Sequence, residues 1–169
     1  MNKIPNILPK NLQNFFSDLE NYIDTDLYFY GSSIRGDYHK NKSDIDICVF
    51  SDNEKSMINK IKIFLKGSKE NIKKIVWRYE KNIIYGYKIK FKVDDNKCEI
   101  HVYNNKFKDL IIQYIRIPLN TPFYITWILY ILKFMYYTIP ILPKDIYMYL
   151  KTLCMKKLII NKDSEFLVI

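Results

Sequence analysis

Glycine is scarce in this 169-residue chain: there are four, and two of them, Gly31 and Gly36, fall in one short stretch. The first residues, Met1-Asn2-Lys3-Ile4-Pro5, lack the apolar run of a secretory signal, so no export signal is expected. The three cysteines, Cys48, Cys98 and Cys154, have neither the even number of a disulfide framework nor the close spacing of a zinc site. Cys48 and Cys98 each lie in an apolar run and read as buried free thiols. A reducing, cytoplasmic setting is the expectation. No internal repeat, low-complexity tract or long basic block is present.

What the chain does have is apolar material. Hydrophobic residues make up 49%, and Tyr alone accounts for 15 positions, so a real core is within reach and disorder is excluded. The length suits one domain with a small helical appendage. The net charge is +9 with a pI near 9.3, which attracts nucleotides, nucleic acid or an acidic partner. The basic residues are dispersed, so a solvated lysine-rich surface is an equal reading at this point.

The informative stretch is Tyr30-Gly31-Ser32-Ser33-Ile34-Arg35-Gly36-Asp37, continued by Ser43-Asp44-Ile45-Asp46-Ile47. Upstream, Leu12, Phe15, Phe16, Leu19 and Ile23 make a helical stripe across residues 9–23, and Leu27-Tyr28-Phe29-Tyr30 reads as a buried strand. A strand, a Gly-Ser turn and a helix start form an anion site. Gly31 lets a phosphate approach the backbone, Ser32 adds a hydroxyl, and Ser33 and Arg35 stand close by. Downstream, Ile45, Ile47 and Val49 alternate with Asp44, Asp46 and Cys48, which predicts a strand with both carboxylates on one face. Two carboxylates that close need a cation between them or strong donors nearby, and their oxygens suit a hard divalent metal.

Residues 53–65 read as an amphipathic helix with Met57, Ile58, Ile61, Phe64 and Leu65 inward and Gly67-Ser68 as its stop. Residues 72–79 alternate loosely and residues 83–93 alternate better. Asp94-Asp95-Asn96-Lys97 then turns the chain into Cys98-Glu99-Ile100-His101-Val102-Tyr103, a predicted hairpin. Glu99, His101 and Tyr103 share a face of that strand. If it neighbours the Asp44–Asp46 strand, three carboxylates converge, and such a trio can hold two divalent ions for in-line displacement at phosphorus. His101 reads first as a hydrogen-bonded strand residue, with a catalytic or ligand role as the rarer alternative. His39 is assigned nothing.

Gly31-Ser32, Arg35-Gly36, Ser43-Asp44-Ile45-Asp46-Ile47 and the later Cys98-Glu99-Ile100 together resemble the nucleotidyltransferase superfamily of DNA polymerase beta, most of all its minimal stand-alone members. The likeness runs over residues 27–103, about half of the chain. It implies an α+β fold, a mixed sheet flanked by helices. It also implies transfer of a nucleoside monophosphate from a nucleoside triphosphate with Mg²⁺ (two ions, replaceable by Mn²⁺) and release of pyrophosphate. Carried over by position, Asp44 and Asp46 are the metal-binding carboxylates and Glu99 is the third acid, in place of the commoner Asp. Gly31 and Ser32 hold the triphosphate, with Ser33 and Arg35 as weaker contacts.

The last third is less legible. Residues 107–117 form a mixed apolar segment, and Pro118-Leu119-Asn120-Thr121-Pro122 reads as a linker. Residues 123–139 approach the ~18–20 residues of a membrane span. Lys133, two threonines and Pro140 point instead to a helix buried in the protein or at a homo- or hetero-oligomeric interface. Residues 144–158 predict a final helix with Ile146, Tyr147, Leu150, Leu153 and Cys154 inward. Its lysines, Lys144, Lys151, Lys156 and Lys157, line an acceptor site or a solvated face. The expected organisation is a core over residues 1–117 with a helical extension over residues 118–169. The acceptor stays open among a small molecule or protein, a nucleic acid strand, and none at all in a binding or antitoxin-like module.

Overall fold

The computed structural model describes residues 4–66, 71–79, 81–116, 121–159 and 164–168. Its centre is a mixed sheet built from Tyr28–Tyr30 (β1), Ile45–Ser51 (β2), Asn71–Tyr79 (β3), Asn82–Val93 (β4), Asn96–Asn104 (β5) and Ser164–Val168 (β6). The order is β1-β2-β5-β4-β3-β6. β2 runs parallel to β5, and every other neighbouring pair is antiparallel. The predicted hairpin is β4 and β5, closed at Asp94, whose φ of 51° is left-handed. β6, which no sequence pattern announced, extends the sheet at the β3 edge.

Period-two alternation divides the sheet into two faces. Ile45, Ile47 and Val49 of β2, Cys98, Ile100 and Val102 of β5, and Ile89 and Phe91 of β4 point to one side. There they meet Lys10–Ile23 (α1), through Leu12, Phe16, Leu19 and Ile23, and Glu54–Phe64 (α3), through Met57, Ile58 and Ile61. Burying each such side chain contributes roughly 1.5–3 kcal/mol. The Asn53 side chain caps α3 by accepting from the Ser56 N–H at 3.0 Å. The predicted stop at Gly67-Ser68 lies outside the described residues.

On the other side, Lys108–Arg116 (α4) covers one end of the sheet, packing Ile111 and Ile115 against Phe50, Trp77, Tyr79, Ile84 and Tyr103. The other end of that face is left to polar residues. Cys48 and Cys98 are buried free thiols as expected, and Cys154 is half-buried.

Phe123–Tyr137 (α5) and Lys144–Ile159 (α6) pack on each other beside the loop that precedes β2. α5 buries Ile125, Leu129, Leu132 and Lys133 and exposes Phe123, Trp127 and Ile131. The inward stripe expected for α6 is corrected: Tyr147 is buried, but Ile146 and Leu153 are exposed. α6 packs chiefly on α5. Among the described residues no helix is long and apolar enough to cross a membrane.

Candidate active site

β1 delivers the chain into Gly31, whose φ of 72° is the left-handed geometry that glycine adopts without penalty. Ser32–Arg35 (α2) follows for a single turn and stops at Gly36, φ 91°. Gly31 is required on a second count. A Cβ there would stand 2.5 Å from Asp46 Oδ2, so the turn and the carboxylate are in direct apposition. Gly31→Ala is therefore expected to cost about 1–3 kcal/mol of stability and to displace Asp46. Thermal melting checks this, and a variant that melts like the wild type contradicts it.

The register explains how the carboxylates meet. Tyr30, Asp46, Glu99 and Lys90 lie side by side across β1, β2, β5 and β4. Asp44 is exposed just ahead of β2. Burial, then the negative charges of Glu99 and Asp44, raise the Asp46 carboxyl to about 7. Neither Asp44 nor Asp46 has an ion-pair or hydrogen-bond partner among the described residues. Like charge held this close without a partner is relieved by a cation, and the oxygen donors fit a hard divalent ion.

Glu99 is placed as the sequence predicts but is already engaged. Lys88 and Lys90 each approach its carboxylate at 2.7 Å. Burial alone would raise the Glu99 carboxyl; the His101 ring and the two ammonium groups outweigh it and hold it well below the usual carboxylate range. Among the described residues no group of three or more His, Cys, Asp or Glu side chains is gathered to hold a metal. His101 is buried, with Nδ1 2.8 Å from the Tyr30 hydroxyl and Nε2 3.5 Å from Glu99. Burial lowers its pKa and keeps the ring neutral, in the role of a hydrogen-bonded strand residue.

The four residues expected to hold phosphate separate. Gly31, Ser32 and Arg35 line a cavity of about 310 Å³ together with Asp44 and Asp46. Ser33 turns away, its hydroxyl donating to Tyr30 O at 3.1 Å. Arg35 borders the cavity but spends two N–H groups on Asp37, at 3.0 and 3.1 Å.

Lys133 was legible only as an interruption in an apolar helix. It is 4% exposed and also lines the cavity. Its ammonium donates to Asp37 O at 2.8 Å and Ser43 Oγ at 3.1 Å, and pairs with Asp37 Oδ2 at 3.0 Å. α5 thereby fastens both ends of the loop joining the Gly-Ser turn to Asp44. Tyr114, Tyr137, Tyr147 and Lys151 complete the wall. Of the lysines considered in the last helix, Lys151 lines the cavity, whereas the side chains of Lys156 and Lys157 lie outside what the structure describes.

The structure is thus an α+β fold whose mixed sheet sets a Gly-Ser turn against paired carboxylates at a cavity. The nucleotidyltransferase domain model matches residues 9–121, more than half of the chain, and the chain belongs to that family. No curated protein sequence matches it. Among solved structures it is similar to the GLD-2/RNP-8 complex, at 16% identity and a TM-score of 0.45, covering 83% of this chain and 64% of that one. It is also similar to a cytoplasmic RNA terminal U-transferase, at 17% identity and a TM-score of 0.47, covering 75% and 40%. Cid1, an RNA terminal uridylyl transferase, gives 18% and 0.43, covering 75% and 37%. The chain thus spans less than two thirds of each of these structures.

Proposed function

We propose that the chain moves a nucleoside monophosphate from a nucleoside triphosphate to an acceptor hydroxyl, with Mg²⁺ as cofactor. The observation that carries this reading is a single cavity lined both by the Gly31-Ser32 turn and by Asp44 and Asp46. Gly31 and Ser32 cradle the triphosphate. Asp44 and Asp46 hold the cation, and Glu99 is the third carboxylate. A cation bound there supplies Lewis-acid stabilisation of charge on the phosphoryl oxygens. The acceptor oxygen bonds to the α-phosphorus, the bond to the β-phosphate bridge breaks, pyrophosphate leaves, and the hydroxyl proton passes to a carboxylate or to water. The protein's contribution is positioning and fixed charge. A two-ion arrangement also requires Glu99 to exchange Lys88 for a cation. That requirement favours, as a second reading, a nucleotide-binding module without turnover.

Incubation with each α-labelled triphosphate and Mg²⁺, with and without oligonucleotide or protein acceptors, is expected to give a labelled product. The γ-labelled triphosphate is expected to give none. Mg²⁺-dependent triphosphate binding without any labelled product selects the second reading. Absence of triphosphate binding overturns both.

A further inference from the structure

The carboxylates lie at the junction of two different surfaces. On the β1 side stands the cavity walled by α2, α4, α5 and α6. On the β4 side, no helix among the described residues covers the continuing sheet face, and it is lined by lysine. Strand register places Lys73 of β3 beside Lys88 of β4, Lys90 beside Glu99, and Lys92 beside Lys97 of β5. Residues paired across strands share a face, and this one is the face of Asp46 and Glu99. Lys73, Lys90, Lys92 and Lys97 are exposed, whereas the alternating residues Ile89 and Phe91 point into the α1–α3 core.

Glu99 takes up part of the charge of Lys88 and Lys90. Among the described residues Lys73, Lys92 and Lys97 have no carboxylate partner. Lysines two apart on one strand are about 6.8 Å apart, and those on neighbouring strands about 4.8 Å. Such a grid follows the successive phosphates of an extended strand. The dispersed lysines of the sequence therefore become a directed patch once β3, β4 and β5 are paired, and its end is the carboxylate pair.

We infer that this face of β3, β4 and β5 is the acceptor site and that its ligand is the phosphate backbone of a single-stranded nucleic acid, whose terminal hydroxyl reaches Asp44 and Asp46 while the triphosphate fills the cavity. The assignment rests on the transferase reading above, but binding is measurable without turnover. Lysine and phosphate give affinity without base selection, so contact is strong at low salt and tolerant of sequence.

The test is fluorescence anisotropy with labelled 12-nucleotide oligoribonucleotide and oligodeoxyribonucleotide, without triphosphate, across a salt series. The triple variant Lys73→Gln, Lys92→Gln, Lys97→Gln is expected to bind at least about tenfold more weakly at low salt. Its salt slope should fall by about 2, from ~0.7 per phosphate contact on a single strand. Lys55→Gln, Lys60→Gln, Lys62→Gln, an equal loss of charge on exposed positions of α3 across the sheet, should leave both unchanged. Comparison of the two oligonucleotides identifies the preferred sugar. Equal weakening in the two triple variants means diffuse charge and overturns the proposal, as does wild-type protein that binds neither oligonucleotide. Equally tight binding of a poly-glutamate of matched charge also overturns it, in favour of an acidic protein partner. Triphosphate binding, followed by melting temperature in the same variants, should stay at the wild-type level. If it is absent in the wild type while oligonucleotides still bind, the transferase reading fails and the lysine site stands.

Discussion

Asp46→Asn is expected to abolish nucleotidyl transfer while raising the melting temperature of the metal-free protein at neutral pH. The loss of activity follows from removing one of the two carboxylates proposed to hold the cation, and a fall of at least about 10³-fold corresponds to roughly 4 kcal/mol of barrier. The gain in stability follows from proton linkage. Asp46 titrates at about 7 in the fold against 3.8 when unperturbed. Between those values the folded chain keeps a proton that the unfolded chain has released, so wild-type stability falls as pH rises through this window. Asparagine keeps the shape and carries no charge to bury beside Glu99. The variant's advantage should be absent near pH 4 and grow to about 1–2 kcal/mol above pH 7, or roughly 3–6 °C. Mg²⁺ should reverse the order, because it stabilises only the protein that binds it. Undiminished transfer, or equal Mg²⁺ stabilisation of both proteins, sinks the assignment.

The site's spine was legible because its signals are local. Gly31-Ser32 and Asp44-Ile45-Asp46 are adjacent in sequence, and alternation alone put Glu99 on its face of the returning strand. The hydrophobic stripes of α1 and α3 were equally readable, since each helix lays one full face on the sheet. What escaped depends on partners distant in sequence. Nothing near Glu99 in the chain shows that Lys88 and Lys90 neutralise it, because that contact exists only after β4 pairs with β5. Ser33 and Arg35 occupy the right positions in the motif, but Tyr30 and Asp37 claim them once the single turn of α2 closes. The misread stripe of α6 has a related cause: periodicity shows which residues share a face, not whether anything lies against it. For Lys133 a signal was present. A lone cation within a strongly apolar helix is stable only with a buried counter-ion, and Asp37 was the acid of the motif left without a role.

That pair leads to a result whose sign depends on background. Asp37 is 0% exposed and answers two buried cations, Arg35 and Lys133. Asp37→Asn leaves those cations facing each other in a low-dielectric site, at an expected cost of about 3–5 kcal/mol, or a fall of roughly 10 °C. Lys133→Met removes one ammonium and leaves the Arg35–Asp37 pair intact, so alone it should destabilise less, by the bonds lost to Asp37 and Ser43. In the Asp37→Asn background the same substitution removes half of the uncompensated charge and should restore part of the lost stability. Lys133→Met is then destabilising in the wild type and stabilising in the variant, a coupling that additive side-chain losses cannot produce. The pH response follows the same logic. Burial pulls the Lys133 pKa down, and Asp37 is what opposes it. Without Asp37, folding favours the neutral amine, the unfolded chain binds the extra proton, and the Asp37→Asn defect should shrink between pH 7 and pH 9. Thermal melts of the four proteins at both pH values decide the matter. If Lys133→Met lowers stability equally in both backgrounds, the buried charge cluster does not govern the loop. If the sign reverses, α5 holds Asp44 in place through charge, and the C-terminal helices are part of the catalytic scaffold.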